Sequence, residues 1–334
     1  MKKASLGCIS AGFLAAVAMV QALVIEPPRP PQRPITDMVV LGDSYSDSCN
    51  VYKRDNSLTH RYPFPTCPPN PKGRADGGRS WPEWIRVDQH QVESKGSPPG
   101  GSPVKGHGSN QWNIVNLAQS GAVCDNNIFG RAVPDVGQQT HLYQTRYNTT
   151  APAGKIYTNA STTVLALFIG TNDVTIINNG TGNVRQETAC VKRRLEKLHD
   201  LGFRRFLVFE NIKLQDAPLL NTPDQRRRTK VHVRQDNQEQ ARLFTELNLA
   251  WKHDGSHIET FPAFALFERF HDRNSEYGFT VVDEPCGACK NPDEHLWYDA
   301  LHPSSRAFHI LARKVVRFLG GARGEHLLRG SEGL

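Results

Sequence analysis

The chain has 334 residues, 22% charged and 38% hydrophobic, with 40 basic against 33 acidic residues and a net charge of +7. That excess is modest for the size and, without a base-stacking motif or a basic arm, argues against nucleic-acid binding. Beyond the N terminus no segment is apolar enough to cross a bilayer, and a single domain of this size can bury roughly 75% of its unfolded surface.

The first residues, "MKKASLGCISAGFLAAVAMVQA", carry Lys2 and Lys3, then an apolar stretch from Leu6 to Val20, then small residues. Val20 and Ala22 sit at the −3 and −1 positions of a cut after Ala22. This layout reads as a secretory signal over 1–22, too short to span a membrane. Loss of Lys2 and Lys3 from 40 basic residues leaves 38 against 33, a charge of +5. A secreted, extracellular protein is therefore expected. Residues 23–36, with "IEPPRPPQRP", read as a proline-rich extended leader.

Export gives the seven cysteines a meaning. Cys8 leaves with the signal, and Cys49, Cys67, Cys124, Cys190, Cys286 and Cys289 remain as disulfide candidates, with the pairing open. "CGAC" at Cys286–Cys289 reads as a short-loop disulfide rather than half of a zinc site, because no second CxxC or HxxxH accompanies it. Sequons at Asn148, Asn159 and Asn179 fit a glycosylated exported protein.

The first strand is expected at Met38–Leu41. It runs into "VVLGDSYSD", where Ser44 stands between Asp43 and Asp47 at the strand exit, either as a turn residue or as a nucleophile. The run Ser94–Asn110 reads as a surface loop. Ile114–Leu117 is the second strand, followed by "NLAQSGA" with Gly121. Val164–Ile169 is the third, followed by "IGTND" with Asn172. Val191, Leu195 and Leu198 share one face of a helix that stops near Gly202. Phe206–Phe209 is the fourth strand, and "RRRTK" at Arg226–Lys230 reads as a solvated helix face. Leu243, Phe244, Leu247, Ala250 and Trp251 form a second stripe before a fifth strand at His257–Phe261. "YDALHPSSRAFHILA" then carries Asp299 and His302, with Pro303 and Ser304 starting a last helix whose stripe is Phe308, Leu311, Ala312, Val315 and Leu319. The domain is expected to span 37–319, ahead of a flexible tail at 320–334.

Alternating strands and helices predict a parallel sheet covered on both faces, with the site at the carboxyl ends of the strands. Ser44, Gly121 and Asn172 each fall just past such an end. A serine hydroxyl becomes a nucleophile only beside a base, with donors for the developing oxyanion. Among 13 histidines a lone one proves nothing, but His302 follows Asp299 by three residues, on one turn, in "YDALHPS". Asp299 can reach its Nδ1 and leave Nε2 aimed at Ser44. The N–H of Gly121 and the amide of Asn172 supply donors. The elbow G-x-S-x-G is absent, since position 46 is Ser. Asp43 is expected to brace the turn rather than to serve as the acid.

In the order Ser44, Gly121, Asn172, His302, these residues resemble the four blocks of the GDSL or SGNH hydrolases. "GRSWPEWI", "NLAQSGAVCDNN", "FIGTND" and "YGFTVVDEPCGACKNPDEHLWYDALHPS" resemble segments of the fungal acetylesterases of carbohydrate esterase family 16. The resemblance implies a flavodoxin-like three-layer α/β/α sandwich with a five-stranded parallel sheet. It also implies Ser44 as nucleophile, His302 as base and Asp299 as its orienting acid, with an oxyanion hole from Ser44, Gly121 and Asn172. No metal or organic cofactor is implied. The expected activity is removal of acetyl or other short acyl groups from plant cell-wall carbohydrates. The expected partner is an acetylated oligosaccharide or small ester, met by a monomer with no nucleic-acid or membrane partner. A lipid acylhydrolase on the same scaffold is the alternative, and an inactive secreted carbohydrate-binding protein a more distant one. Trp81, Trp84 and Trp297 are candidates either for stacking on a sugar or for the core.

Overall fold

A computed structural model describes residues 34–50, 77–95, 112–146, 159 and 161–326. The expected export signal, most of the expected leader, Cys67, Asn148 and nearly all of the expected loop at 94–110 lie outside them.

Strict alternation along the apolar strands builds two cores from one sheet. Met38 and Val40 face one side with Ile114, Val164, Ala166 and Leu207. Val39 and Leu41 face the other with Val115, Leu165, Leu167 and Val208. A strand buried on both faces is apolar at nearly every position, which is how these runs read. The strands are β1 (Asp37–Gly42), β2 (Asn113–Asn116), β3 (Thr163–Phe168), β4 (Arg205–Phe209) and β5 (His257–Phe261). They form a five-stranded sheet in the order β2-β1-β3-β4-β5, every pair parallel. This is the flavodoxin-like order, in which the chain reverses its direction of travel beside β1 and opens a crevice at that strand's carboxyl end.

The helices are α1 (Trp81–Lys95), α2 (Asn126–Phe129), α3 (Val136–Arg146), α4 (Thr171–Asn178), α5 (Val184–Asp200), α6 (Pro223–Trp251), α7 (Ala263–Asp272) and α8 (Ser305–His326). On the first face Trp81 and Ile85 of α1, Leu266 and Phe270 of α7, and Phe308 and Leu311 of α8 cover the sheet. On the second, Tyr143 of α3, the Val191, Leu195 and Leu198 stripe of α5, and Leu243, Phe244 and Leu247 of α6 do so. The result is an α/β/α sandwich.

Two features depart from the expectations. Helix α8 continues to His326, past the position where a flexible tail is expected. Extending a formed helix gains one hydrogen bond per residue, and a glycine costs only about 1 kcal/mol against it. A second, two-stranded parallel pairing joins β6 (Val281–Pro285) to β7 (His295–Trp297). Disulfides join Cys124 to Cys190 and Cys286 to Cys289, the latter as expected, and Cys49 is disulfide-bonded too. The sequon residues Asn159 and Asn179 are both exposed.

Candidate active site

Strand β1 ends at Gly42 because nothing larger fits. Its φ is 147°, and a Cβ there would lie 2.1 Å from the carbonyl oxygen of Phe168. The buried amide of Gln139 brackets this glycine, accepting from its N–H and donating to its carbonyl, both at 2.9 Å. The chain then turns tightly, with the N–H groups of Ser46 and Asp47 donating to the Asp43 carbonyl at 3.1 and 3.0 Å. Asp43 Oδ1 accepts the Tyr45 N–H at 3.0 Å, so its carboxyl braces the turn that presents Ser44.

Polar residues on either side lock that turn to the next loop. The Trp81 indole N–H donates to Ser46 Oγ at 3.0 Å. Asp47 Oδ2 accepts from the N–H and hydroxyl of Ser120 at 2.8 and 3.0 Å. The Asn50 amide donates to the carbonyls of Asn116 and Ala118, and the Asn116 amide to that of Ser46. Sequence reading noted Asp47 and Trp81 without this role and missed Ser46, Asn50, Asn116 and Ser120. Their signal was the density of short polar side chains in "YSDSCN", which reads equally well as an ordinary turn.

Gly121, at φ +83°, follows in that second loop. The Asn172 amide donates one hydrogen to the Ala122 carbonyl at 2.9 Å. An amide nitrogen carries two hydrogens, so this bond fixes its plane and leaves the other for a ligand. Asp173 Oδ1 accepts the Cys124 N–H at 2.9 Å, and the Cys124–Cys190 disulfide anchors the same loop to α5. The structure thus brings the loop of Gly121 into contact with Asn172, which lies in the first turn of α4 rather than in a loop.

The histidine arrives from the far end of the chain. His302 Nδ1 lies 2.8 Å from Asp299 Oδ2, while Asp299 Oδ1 accepts the N–H groups of Leu301 and His302 at 2.8 and 2.7 Å. Burial raises the Asp299 pKa, but the hydrogen bonds and charge of His302, with the two N–H groups, outweigh it and hold the carboxyl below its ordinary value. Nδ1 therefore donates and Nε2 is left as the acceptor. Tyr45, next to Ser44, ties the two ends of the chain together. Its hydroxyl donates to the Leu301 carbonyl at 3.1 Å, and its ring meets the His302 ring edge-on at 6.2 Å between centroids. No hydrogen bond joins Ser44 to His302 among the described residues; such bonds commonly tighten only in the substrate complex.

The alternatives left open for the tryptophans are decided here, and the expectation for Pro303 needs correction. Trp81 and Trp297, at 0% and 1% exposure, belong to the core. Their broad faces fill the layer between the sheet and its helices. Trp84, half-buried, stacks on His309 at 4.1 Å and has the Arg79 guanidinium over its ring at 5.1 Å, so the ring already has protein partners. Pro303 pairs with Trp297 ahead of the helix, and the cap is Ser304, whose Oγ accepts the Ala307 N–H at 3.3 Å. Among the described residues no group of three or more His, Cys, Asp or Glu side chains could hold a metal ion.

Two expected results arise here. With Asn172 as the expected oxyanion donor, Asn172→Ala should lower kcat roughly 10²–10³-fold with KM little changed; an effect confined to KM would make Asn172 a substrate-binding residue instead. Asp43 is fully buried, and burial pushes its pKa up to about 8, against the Tyr45 N–H and aided by the charges of Asp173 and Asp47. The folded value thus exceeds the unfolded value of about 3.9. Stability tied to the protonated form is full below about pH 4 and is lost as the pH rises through about 8. Asp43→Asn removes that loss, so the Tm difference, variant minus parent, should grow between about pH 5 and pH 8. A difference constant in pH would contradict it.

Residues 38–315 match the family model described as GDSL-like lipase/acylhydrolase. The chain is 24% identical over 306 residues to the thermolabile hemolysin of Vibrio parahaemolyticus, a match covering 84% of this chain but 63% of the hemolysin. It is 22% identical over 330 residues to the acetylesterase of Hypocrea jecorina, covering 85% of this chain and 88% of that enzyme. Among solved structures, Axe2, an acetylxylan esterase from Geobacillus stearothermophilus, aligns with a TM-score of 0.47 at 13% identity, over 86% of this chain and 97% of its own. A lipolytic protein of the G-D-S-L family from Veillonella parvula aligns with a TM-score of 0.42 at 14% identity, over 86% and 99%.

Proposed function

Because the chain belongs to the GDSL-like lipase/acylhydrolase family, a family of carboxylic ester hydrolases, we propose that it is a secreted serine esterase removing acetyl and other short acyl groups from plant cell-wall carbohydrates. The observation that supports the mechanism is the Asp299–His302 pair, with Tyr45, the residue beside Ser44, hydrogen-bonded to the Leu301 carbonyl between them.

In this reading Ser44 Oγ attacks the acyl carbon as His302 Nε2 takes its proton, and Asp299 stabilises the imidazolium. The oxyanion is met by the N–H groups of Ser44 and Gly121 and by the second hydrogen of the Asn172 amide. The bond to the sugar oxygen breaks, and His302 returns the proton to the departing alcohol. Water, deprotonated by His302, then attacks the acyl-enzyme and releases acetate with Ser44 restored.

The acetyl preference is supported by the Hypocrea jecorina acetylesterase, which matches over nearly its whole length. The family's lipase members, with the hemolysin match, keep a lipid acylhydrolase as the second reading. Export is supported by the N-terminal signal pattern, and no helix among the described residues is long and apolar enough to cross a membrane. A domain over 37–319 acting as a monomer completes the reading. The test is acetate release from acetylated xylo- or cello-oligosaccharides by the purified protein. Turnover supports the carbohydrate assignment, and inert oligosaccharides beside hydrolysed lipid esters would overturn it.

A further inference from the structure

The CGAC turn at Cys286–Cys289 has no part in the chemistry above, yet backbone hydrogen bonds link it through Tyr298 to His302. The disulfide joins residues three apart at the end of β6, and the Cys289 N–H closes the turn on the Cys286 carbonyl at 3.0 Å. From this turn two N–H groups point inward. That of Cys286 donates to the Trp297 carbonyl at 3.0 Å, and that of Gly287 to the Tyr298 carbonyl at 2.5 Å. The Tyr298 N–H in turn donates to the carbonyl of His302 at 2.8 Å. One residue therefore has its carbonyl held by the disulfide turn and its N–H on the histidine. Its ring is fixed as well, because it packs so tightly on Gly77 that a Cβ there would lie 2.1 Å from it. Trp297 is buried and pairs with Pro303, which closes the other side of the same segment.

We infer that the Cys286–Cys289 disulfide turn is a positioning element for the catalytic base, acting through the Tyr298 backbone on the Asp299–His302 turn. This rests on the reading of His302 as that base. The physical case is one of rigidity. Asp299 sits at the far side of Tyr298 from the disulfide, and its carboxylate must meet Nδ1 while Nε2 points at Ser44. A bridge three residues long removes little freedom from the unfolded chain, since that stabilisation grows with loop length. Its consequence is local. Cys124–Cys190, separated by 66 residues, is the bridge suited to global stability.

The two roles separate in one experiment. Cys286→Ser with Cys289→Ser should lower kcat on a short-chain chromogenic ester roughly 10–100-fold, with KM within about twofold, because misplacing a catalytic group by about 1 Å costs on that scale. The fall in Tm should be smaller than for Cys124→Ser with Cys190→Ser. In an Asp299→Ala background the same serine pair should cost less than about threefold, since the alignment it protects is already lost. A purely structural role would give the full loss in both backgrounds, and would overturn the inference. Unchanged kcat in the serine pair would overturn it too. Graded reduction of the intact protein with dithiothreitol gives a second readout that needs no variant to fold. The reagent's two thiols become a cyclic disulfide as Cys286 and Cys289 become thiols, which alkylation and peptide mapping then count. Activity should fall in step with alkylation at these two positions; full alkylation there with full activity would contradict the proposal. His302→Ala, measured alongside, keeps the outcomes distinct. If it stays active the reading of the site fails, whereas if it is inactive while the serine pair keeps full kcat, only this inference fails.

Discussion

Ser44→Ala is expected to lower kcat for short-chain ester hydrolysis by roughly 10⁴–10⁶-fold, because in the proposed mechanism the atom removed is the one that becomes acylated. The fold should survive the change. Ser44 is 4% exposed, but among the described residues no hydrogen bond holds its hydroxyl, so truncation strands no buried partner. The surrounding turn is fixed by Asp43, Asp47, Asn50 and Trp81, none of which uses the Ser44 side chain. Thermal unfolding alongside the kinetics should therefore give a Tm within a few degrees of the parent, about 1 kcal/mol on the usual scale. A variant that stays active to within tenfold would remove Ser44 from the mechanism.

Acyl-chain length should produce the second large effect. Each methylene buried in a fitted apolar groove adds up to about 0.8 kcal/mol, so a lipid site would favour octanoyl over acetyl by about 5 kcal/mol, or three to four orders of magnitude. A site for acetyl predicts the opposite trend, with kcat/KM falling steeply beyond butyryl. Hydrogen bonds from Ser120 to Asp47, from Asn116 to the Ser46 carbonyl and from Asn172 to the Ala122 carbonyl tie the segments around Ser44 to one another. If octanoyl or longer esters turn over best, the lipid acylhydrolase replaces the acetylesterase.

The sheet could be read from the sequence because its signal is local. The five expected strands fall within a residue or so of those observed, since buried parallel strands are continuous apolar runs ended by turn residues. The candidate site could be read for a related reason: Ser44, Gly121 and Asn172 each follow a strand directly, and Asp299 lies one turn from His302. What escaped depends on partners far apart in sequence. Gln139 clamps Gly42 from 97 positions away, and Tyr45 reaches Leu301 across 256. No short window contains such a pair. Trp81 and Trp297 were ambiguous for the same reason, because only the packed layers decide which aromatic faces are covered. Helix α1 is a different case. Glu83 accepts the Ser80 N–H at 3.1 Å, the reach-back half of a capping box, and "SWPE" carried that signal in plain view. Its stripe was simply too short to stand out.

Covalent trapping tests the central claim most directly. The purified protein should be inactivated by a small organophosphate ester at one equivalent, and peptide mapping should place the adduct on Ser44. Trapping should be slowed strongly in His302→Ala, because the hydroxyl is a poor nucleophile without its base. An adduct on any other residue, or full activity with Ser44 completely labelled, would contradict the account.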